Sequence, residues 1–326
     1  MREIIFDIWP ALRAAESLTN MICIFNELRL YKIVFASRCM RMNSAKPPID
    51  DAVLNHCPVV SSSINYLGRM DVFPVFYAEN YHRNNLVLEP HTVEIRDARC
   101  LPDEPSLESN GFTLVNHATK VGDFENQDET AKVYRPEIEE LILDLTGADK
   151  VIVTNVVLRW GERAGDKTAF INSRPARFVH VDYSRKSFDD FARTHLADAA
   201  DADRRLRRRY VAYNIWRVLT PPPQDVPLTL CDARTASPDD VTEGEAVIDA
   251  PGRPEMRFGS SLYHASPAHR WFYFSDMQLD EALVFKAFDS DVDRVQGCPH
   301  SAFNDPNCPE DVPPRASAEI RAYAFF

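Results

Sequence analysis

The chain has 326 residues, 45% of them hydrophobic, enough for one large core with an appended segment. A formal net charge of −12 argues against a general nucleic-acid binder, and seven scattered cysteines without a CxxC pair argue against a zinc ribbon or a disulfide scaffold. No GxGxxG, GxxxxGK[ST] or GxSxG motif is present, so dinucleotide, P-loop and nucleophile-elbow hydrolase readings lose their usual support.

Residues 1–45 read as an N-terminal extension to a main domain at 46–326. Glu3, Asp7, Glu16 and Glu27 interrupt its apolar stretches, and its longest uncharged run, 17–26, is too short to span a bilayer. The extension reads as an extra helix, a membrane-surface helix, or the result of a start placed upstream of Met42. Residues 43–90 are polar and punctuated by proline, and read as an extended arm packed on the main domain. Alternation marks strands at 91–96 (HTVEIR) and 111–115. A helix opens near Asp128 or Glu129, and an amphipathic helix at 134–147 ends on Gly147. The run 149–160 is β-rich and leads through a polar loop into RFVHVDYS. A helical insert at about 187–210 ends in a basic cluster, 204–209, read as a solvated helix terminus or a dock for an acidic substrate or partner. Further strand candidates lie at 212–219, 228–233, 271–274, 282–287 and 318–326. Short strands with flanking helices indicate an α+β, mainly β fold with a barrel or jelly-roll core.

Within this frame three residues suggest metal chemistry. In HVD, His180 and Asp182 are two apart on a strand and share a face, while Val181 faces the other way. A second histidine, His300 in CPHSAF, lies far downstream, where a barrel can bring it back. Two imidazoles and one carboxylate form the facial triad that holds non-heme Fe(II) and leaves positions open. His264 and His269 read as loop or surface residues and are reserve ligands. Downstream, Arg315 and Ser317 also share a face and can bind one carboxylate together, such as the distal one of 2-oxoglutarate. Arg321 is the competing anchor. Lys286, in an apolar strand, either meets that carboxylate or pairs with an acid such as Asp289. In AYNIWRVL, Asn214 shares a face with Trp216 and could hydrogen-bond the co-substrate, while Arg217 could bind a substrate carboxylate or sit in a buried salt bridge. Trp271 and Tyr273 are candidate substrate-pocket walls or plain core. Tyr183 points away from the metal if the strand stays regular.

From RFVHVDYS through YNIWRVL, PLTLCDAR, HRWFYFSDM, DEALVFKAFDS and PHSAF to PPRASAEIRAYAF, the chain resembles the CmcJ-like group of Fe(II)/2-oxoglutarate oxygenases. That group includes the hydroxylase component of cephem methoxylation and fungal natural-product hydroxylases and gibberellin desaturases. The resemblance covers about residues 90–326. It implies a double-stranded β-helix, with His180, Asp182 and His300 on iron and with 2-oxoglutarate and O2 as co-substrates. It also implies hydroxylation or desaturation of a small organic substrate, with succinate and CO2 as co-products. The scattered cysteines read as free thiols of a reducing cytoplasm, with no nucleic acid or membrane involved, and the family's analogy adds a partner enzyme as an alternative to a homodimer. Two other classes stay open at this level: a non-catalytic partner subunit, and a cupin-type metal enzyme that does not use 2-oxoglutarate.

Overall fold

The computed structural model describes residues 48–49, 54–160, 174–196, 198–249, 252 and 254–326, so the extension expected at 1–45 lies outside the described residues. The described strands, in chain order, begin with β1 (Val59–Leu67), β2 (Val75–Tyr77), β3 (Leu88–Asp97), β4 (Phe112–Asn116), β5 (Lys150–Val153), β6 (Val157–Trp160) and β7 (His180–Val181). They continue with β8 (Tyr210–Val218), β9 (Leu228–Cys231), β10 (Val241–Ile248), β11 (Met256–Tyr263), β12 (Trp271–Tyr273), β13 (Glu281–Asp289), β14 (His300–Ala302) and β15 (Ala316–Phe325). One sheet runs β1-β3-β12-β9-β14-β7-β11-β10-β2, and the other β4-β13-β8-β15-β5 with β6 also on β15. The architecture is a jelly roll, mostly β with few helices.

Strand β8 shows how the layers are made. All nine of its residues are buried, as expected of a central strand covered on both faces. One face carries Val211, Tyr213 and Ile215 into a cluster with Tyr134, Ile138 and Ile142. The other carries Trp216 and Val218 toward the opposite sheet, where they meet Leu230 of β9 and Phe272 of β12. Ile138 and Ile142, one helical turn apart, belong to helix α1 (Arg135–Thr146). Pro136 stands in its first turn, and Gly147 ends it at φ 67°, where its N–H bonds the Leu143 carbonyl at 2.9 Å.

Between β7 and β8 run α2 (Arg185–His195) and α3 (Ala199–Arg205), capped by the side chains of Ser184 and Asp198. Phe188, Ala192, Leu196 and Ala202 bury their apolar face against Tyr210, Tyr323 and Phe325. Four of the five arginines in the basic cluster that follows pair with acids of this chain: Arg204 and Arg205 with Asp201, Arg208 with Asp149 at 3.0 Å, and Arg209 with Asp289 at 2.7 Å.

The segment expected to be an extended arm contains two strands, and β1 pairs with β3 along its full length. The hairpin β10–β11 and the short β14 were also not expected.

Truncating Ile138, fully buried under sheet and helix, should cost about 2–5 kcal/mol as Ile138→Ala. The neighbouring Glu139→Ala, on the exposed face of α1, should stay within about 0.5 kcal/mol. Equilibrium urea unfolding, with an unchanged m-value, measures both.

Candidate active site

The two-residue strand β7 lies between β14 and β11, and its His180 is the direct antiparallel partner of His300. Directly opposed residues share a face, so both imidazoles enter the same space, with ring centroids 4.4 Å apart. Phe285 of β13 packs on His300 at 4.8 Å from the other sheet.

Each ring is held by the same device. His180 Nδ1 lies 2.9 Å from the Phe178 carbonyl oxygen, and His300 Nδ1 lies 3.0 Å from that of Cys298. A carbonyl only accepts, so Nδ1 carries a proton in both rings, which leaves Nε2 as the nitrogen that can give a lone pair to a metal. Burial, and then the neighbouring His180, push the His300 imidazole down to about 4, so it is neutral at physiological pH.

Asp182 follows β7 and completes the set. Its Oδ1 is 3.5 Å from His180 Nε2. Its Oδ2 accepts from Asn214 Nδ2 at 2.6 Å and from Arg321 Nε at 3.0 Å. Burial alone would raise this carboxyl, but Arg321 and then the two histidines hold it well below the usual carboxylate range. One donor atom from each of His180, Asp182 and His300 lies within 4.8 Å of the others, and all three residues are buried. Two imidazoles, each with Nδ1 turned to a backbone carbonyl, and a carboxylate oxygen fit a divalent first-row metal with positions left open.

A pocket opens on this group, lined by Arg159, Trp216, Leu228, Ala302, Arg315 and Glu319 with His180 and His300. Arg315 is 1% exposed. Its Nη1 donates to the Val226 carbonyl at 2.8 Å, and its guanidinium carbon stands 5.4 Å from the Trp216 ring centroid. Its Nε has no partner, and neither has Ser317 Oγ. Burial, and then Arg159, push its guanidinium down to about 9. A buried cation with no carboxylate in hydrogen-bonding contact is expensive, and here it stands in the pocket of the two imidazoles.

Several sequence candidates lie elsewhere. Arg321 is committed to Asp182 and to Glu319, whose Oε1 accepts from its Nη2 at 2.7 Å. Lys286 Nζ donates to Asp289 at 2.8 Å and to the Val295 carbonyl at 3.2 Å, and stands 3.4 Å from Glu108. Its neighbour Phe285 takes the face toward His300, so Lys286 takes the other. Arg217 leaves β8 on the face opposite Asn214 and Trp216, donating to Tyr134 Oη and His117. Trp271 and Tyr273 pack in a separate cluster with Val60, Ile64 and Tyr66, and Trp271 Nε1 donates to Tyr66 Oη at 2.9 Å. His264 bonds Thr242 and Leu67, and His269 bonds Tyr66 and Asp240, so neither joins the triad. Tyr183 packs with Phe188, Tyr210 and Tyr323. Glu319 and Arg159 were not foreseen. Glu319 was readable from alternation, since it lies midway between Ser317 and Arg321; Arg159 is the cross-strand partner of Ser317 and needed the register.

A family model described as "Oxidoreductase/YMDC permease-like domain" matches residues 64–325. The Fe(II)/2-oxoglutarate-dependent dioxygenase nvfI of Aspergillus novofumigatus is 33% identical over 241 residues, which cover 72% of this chain and 84% of that protein. The chain belongs to the Fe(II)/2-oxoglutarate-dependent dioxygenases. The hydroxylase/desaturase efuI of Hormonema carpetanum is 29% identical to this dioxygenase over 290 residues, covering 82% of this chain and 96% of that protein. A solved structure of the iron and alpha-ketoglutarate-dependent endoperoxidase NvfI superposes with a TM-score of 0.73 at 26% identity, covering 82% of this chain and 98% of that one. The dioxygenase uses Fe(II), 2-oxoglutarate and O2. Among its described residues no helix is long and apolar enough to cross a membrane.

The depressed Asp182 carboxyl fixes the sign of a pH effect. A carboxyl whose folded value lies below its unfolded value of about 3.9 stabilises the fold above that pH and loses its contribution as pH falls through the folded value. In metal-free protein, the stability gap between the parent and Asp182→Asn should therefore be widest near about pH 7 and shrink toward about pH 3. Urea unfolding across that range checks it; a gap independent of pH would refute the ion pair with Arg321.

Proposed function

We propose that His180, Asp182 and His300 hold the Fe(II) of this dioxygenase and that Arg315, with Ser317, receives the distal carboxylate of 2-oxoglutarate. The observation that carries this reading is the buried Arg315, which makes no ion pair with any described residue and lines the same pocket as the two imidazoles. A planar guanidinium accepts a carboxylate through parallel N–H bonds, and the Ser317 hydroxyl beside it adds a further donor. Lys286 and Arg321 both have acids of their own, which leaves Arg315 as the anchor. Bound at the triad, Fe(II) with 2-oxoglutarate and O2 supplies an oxidant able to take hydrogen from an unactivated C–H bond, with succinate and CO2 as co-products. The chain's part is to orient both co-substrates and to keep the pocket dry, with Trp216, Leu228 and Ala302 as apolar walls.

The substrate on this reading is a small natural-product-like molecule, and the outcome is hydroxylation or desaturation, as in the CmcJ-like group. The relatives named hydroxylase/desaturase, in Hormonema carpetanum and Cercospora beticola, support it. We place the protein in the cytoplasm, since the described cysteines are all free.

The isolated protein with Fe(II), 2-oxoglutarate and O2 should release succinate, and His180→Ala and His300→Ala should each lose both iron and turnover. Succinate release by His180→Ala at the parent's rate would sink the ligand assignment, and substrate turnover without 2-oxoglutarate would favour a cupin-type enzyme. Arg315→Ala should raise the 2-oxoglutarate KM on the order of 10–100-fold, with Arg315→Lys between, because a point charge replaces the fork. Lys286→Ala should leave that KM near the parent's; the reverse pattern would move the anchor to Lys286.

A further inference from the structure

The two oxygens of Asp182 have different company. Oδ2 takes the donors described above, Asn214 Nδ2 at 2.6 Å and Arg321 Nε at 3.0 Å. Oδ1 faces His180 Nε2 at 3.5 Å, and it carries no bond to either of those donors. Resting on the metal reading above, we propose that Asn214 and the Arg321–Glu319 pair are positioning residues: they clamp Asp182 by Oδ2 and leave Oδ1 as its single metal donor.

Strand geometry makes the clamp rigid. Asn214 and Arg321 are direct partners across β8 and β15, so both donors come from opposed positions on one inward face. Asn214 is fully buried and its Oδ1 has no partner. A carboxylate cannot donate, so the amide turns its nitrogen to Asp182, and nothing on the other side favours a flip. Arg321 is held at its far nitrogen by Glu319 Oε1 at 2.7 Å, and its guanidinium carbon stands 5.7 Å from the Tyr183 ring centroid. The other Glu319 oxygen, Oε2, lies 3.4 Å from Arg159 Nε, on a residue that lines the triad pocket. Glu319 therefore offsets the charge of Arg321. Arg321 brings Asp182 both direction and an opposite charge, and Glu319 shares that charge, so no bare cation stands beside the metal position.

A carboxylate free to turn can present both oxygens to a metal; one bonded twice at Oδ2 presents Oδ1 alone. That keeps to one the donors Asp182 spends on the metal and preserves the open positions of a facial triad. Partners that orient a metal ligand are worth about 10–100-fold in metal affinity.

The test is Mn(II) binding to metal-free protein, followed by electron paramagnetic resonance without 2-oxoglutarate or substrate. Asn214→Ala and Arg321→Met should each weaken Mn(II) binding about 10–100-fold, and Arg321→Lys should recover part of the loss. Melting curves followed by circular dichroism separate this from damage to the fold. If Arg321→Met does not fold, Asn214→Ala, which changes no charge, decides alone. Parental Mn(II) affinity in the folded variants, with the ion lost from His180→Ala, would overturn the positioning role and leave the triad standing. Mn(II) retained by His180→Ala would overturn both. An Arg321→Met protein with parental Mn(II) affinity but weakened 2-oxoglutarate binding would make Arg321 a co-substrate anchor instead.

Discussion

His180 and His300 are cross-strand neighbours, and the site depends on that single register. A strand of two residues has no hydrophobic pattern of its own to fix its pairing. It is fixed by β14 on one side and by the longer β11 on the other, where Leu262 faces His180. A slip of one residue would turn Val181 inward and His180 out of the pocket. The tautomer is set locally, because each Nδ1 meets the carbonyl two residues before it on its own segment. The same backbone that aims the imidazoles decides which nitrogen is free.

The second sheet acts as a partition. Its inner face carries Ser317, Glu319 and Arg321 from β15, with Arg315 just ahead of that strand, and Asn214 and Trp216 from β8. Its outer face carries Ile320, Ala322 and Ala324 with Tyr213 and Ile215, under α1. Alternation explains why Arg217, one residue from Trp216, leaves on the outer face and bonds Tyr134 and His117 there. On the inner face, opposite charges alternate along the chain Arg159, Glu319, Arg321, Asp182, and each carboxylate in it answers at least one guanidinium. Arg315 stands outside that chain, which is what distinguishes it electrostatically from its neighbours.

Much of this was legible in the sequence because it obeys period two. HVD, RAS and the continuation to Arg321 state which residues share a face, and the terminal Gly147 states where α1 ends. What could not be read is which face of a doubly buried strand meets the site. In β13 both Phe285 and Lys286 are buried, and only the packing of Phe285 on His300 assigns Lys286 to the ion pairs with Asp289 and Glu108. The same ambiguity attaches to Trp271 and Tyr273, whose strand turns Phe272 to the inner core. Strand β1 hid behind three consecutive serines. In β11, Gly259 looks like a strand breaker, yet a Cβ there would stand 2.3 Å from Ser184 Oγ, so the missing side chain admits the cap of α2.

The division of β15 into two faces has an evolutionary consequence. Ten residues carry two independent texts, an ionic one read by the pocket and a small-residue one read by the outer layer. Changes to the first leave the fit of the second intact, and the converse also holds. A fold partitioned in this way can host different pocket chemistry on the same scaffold.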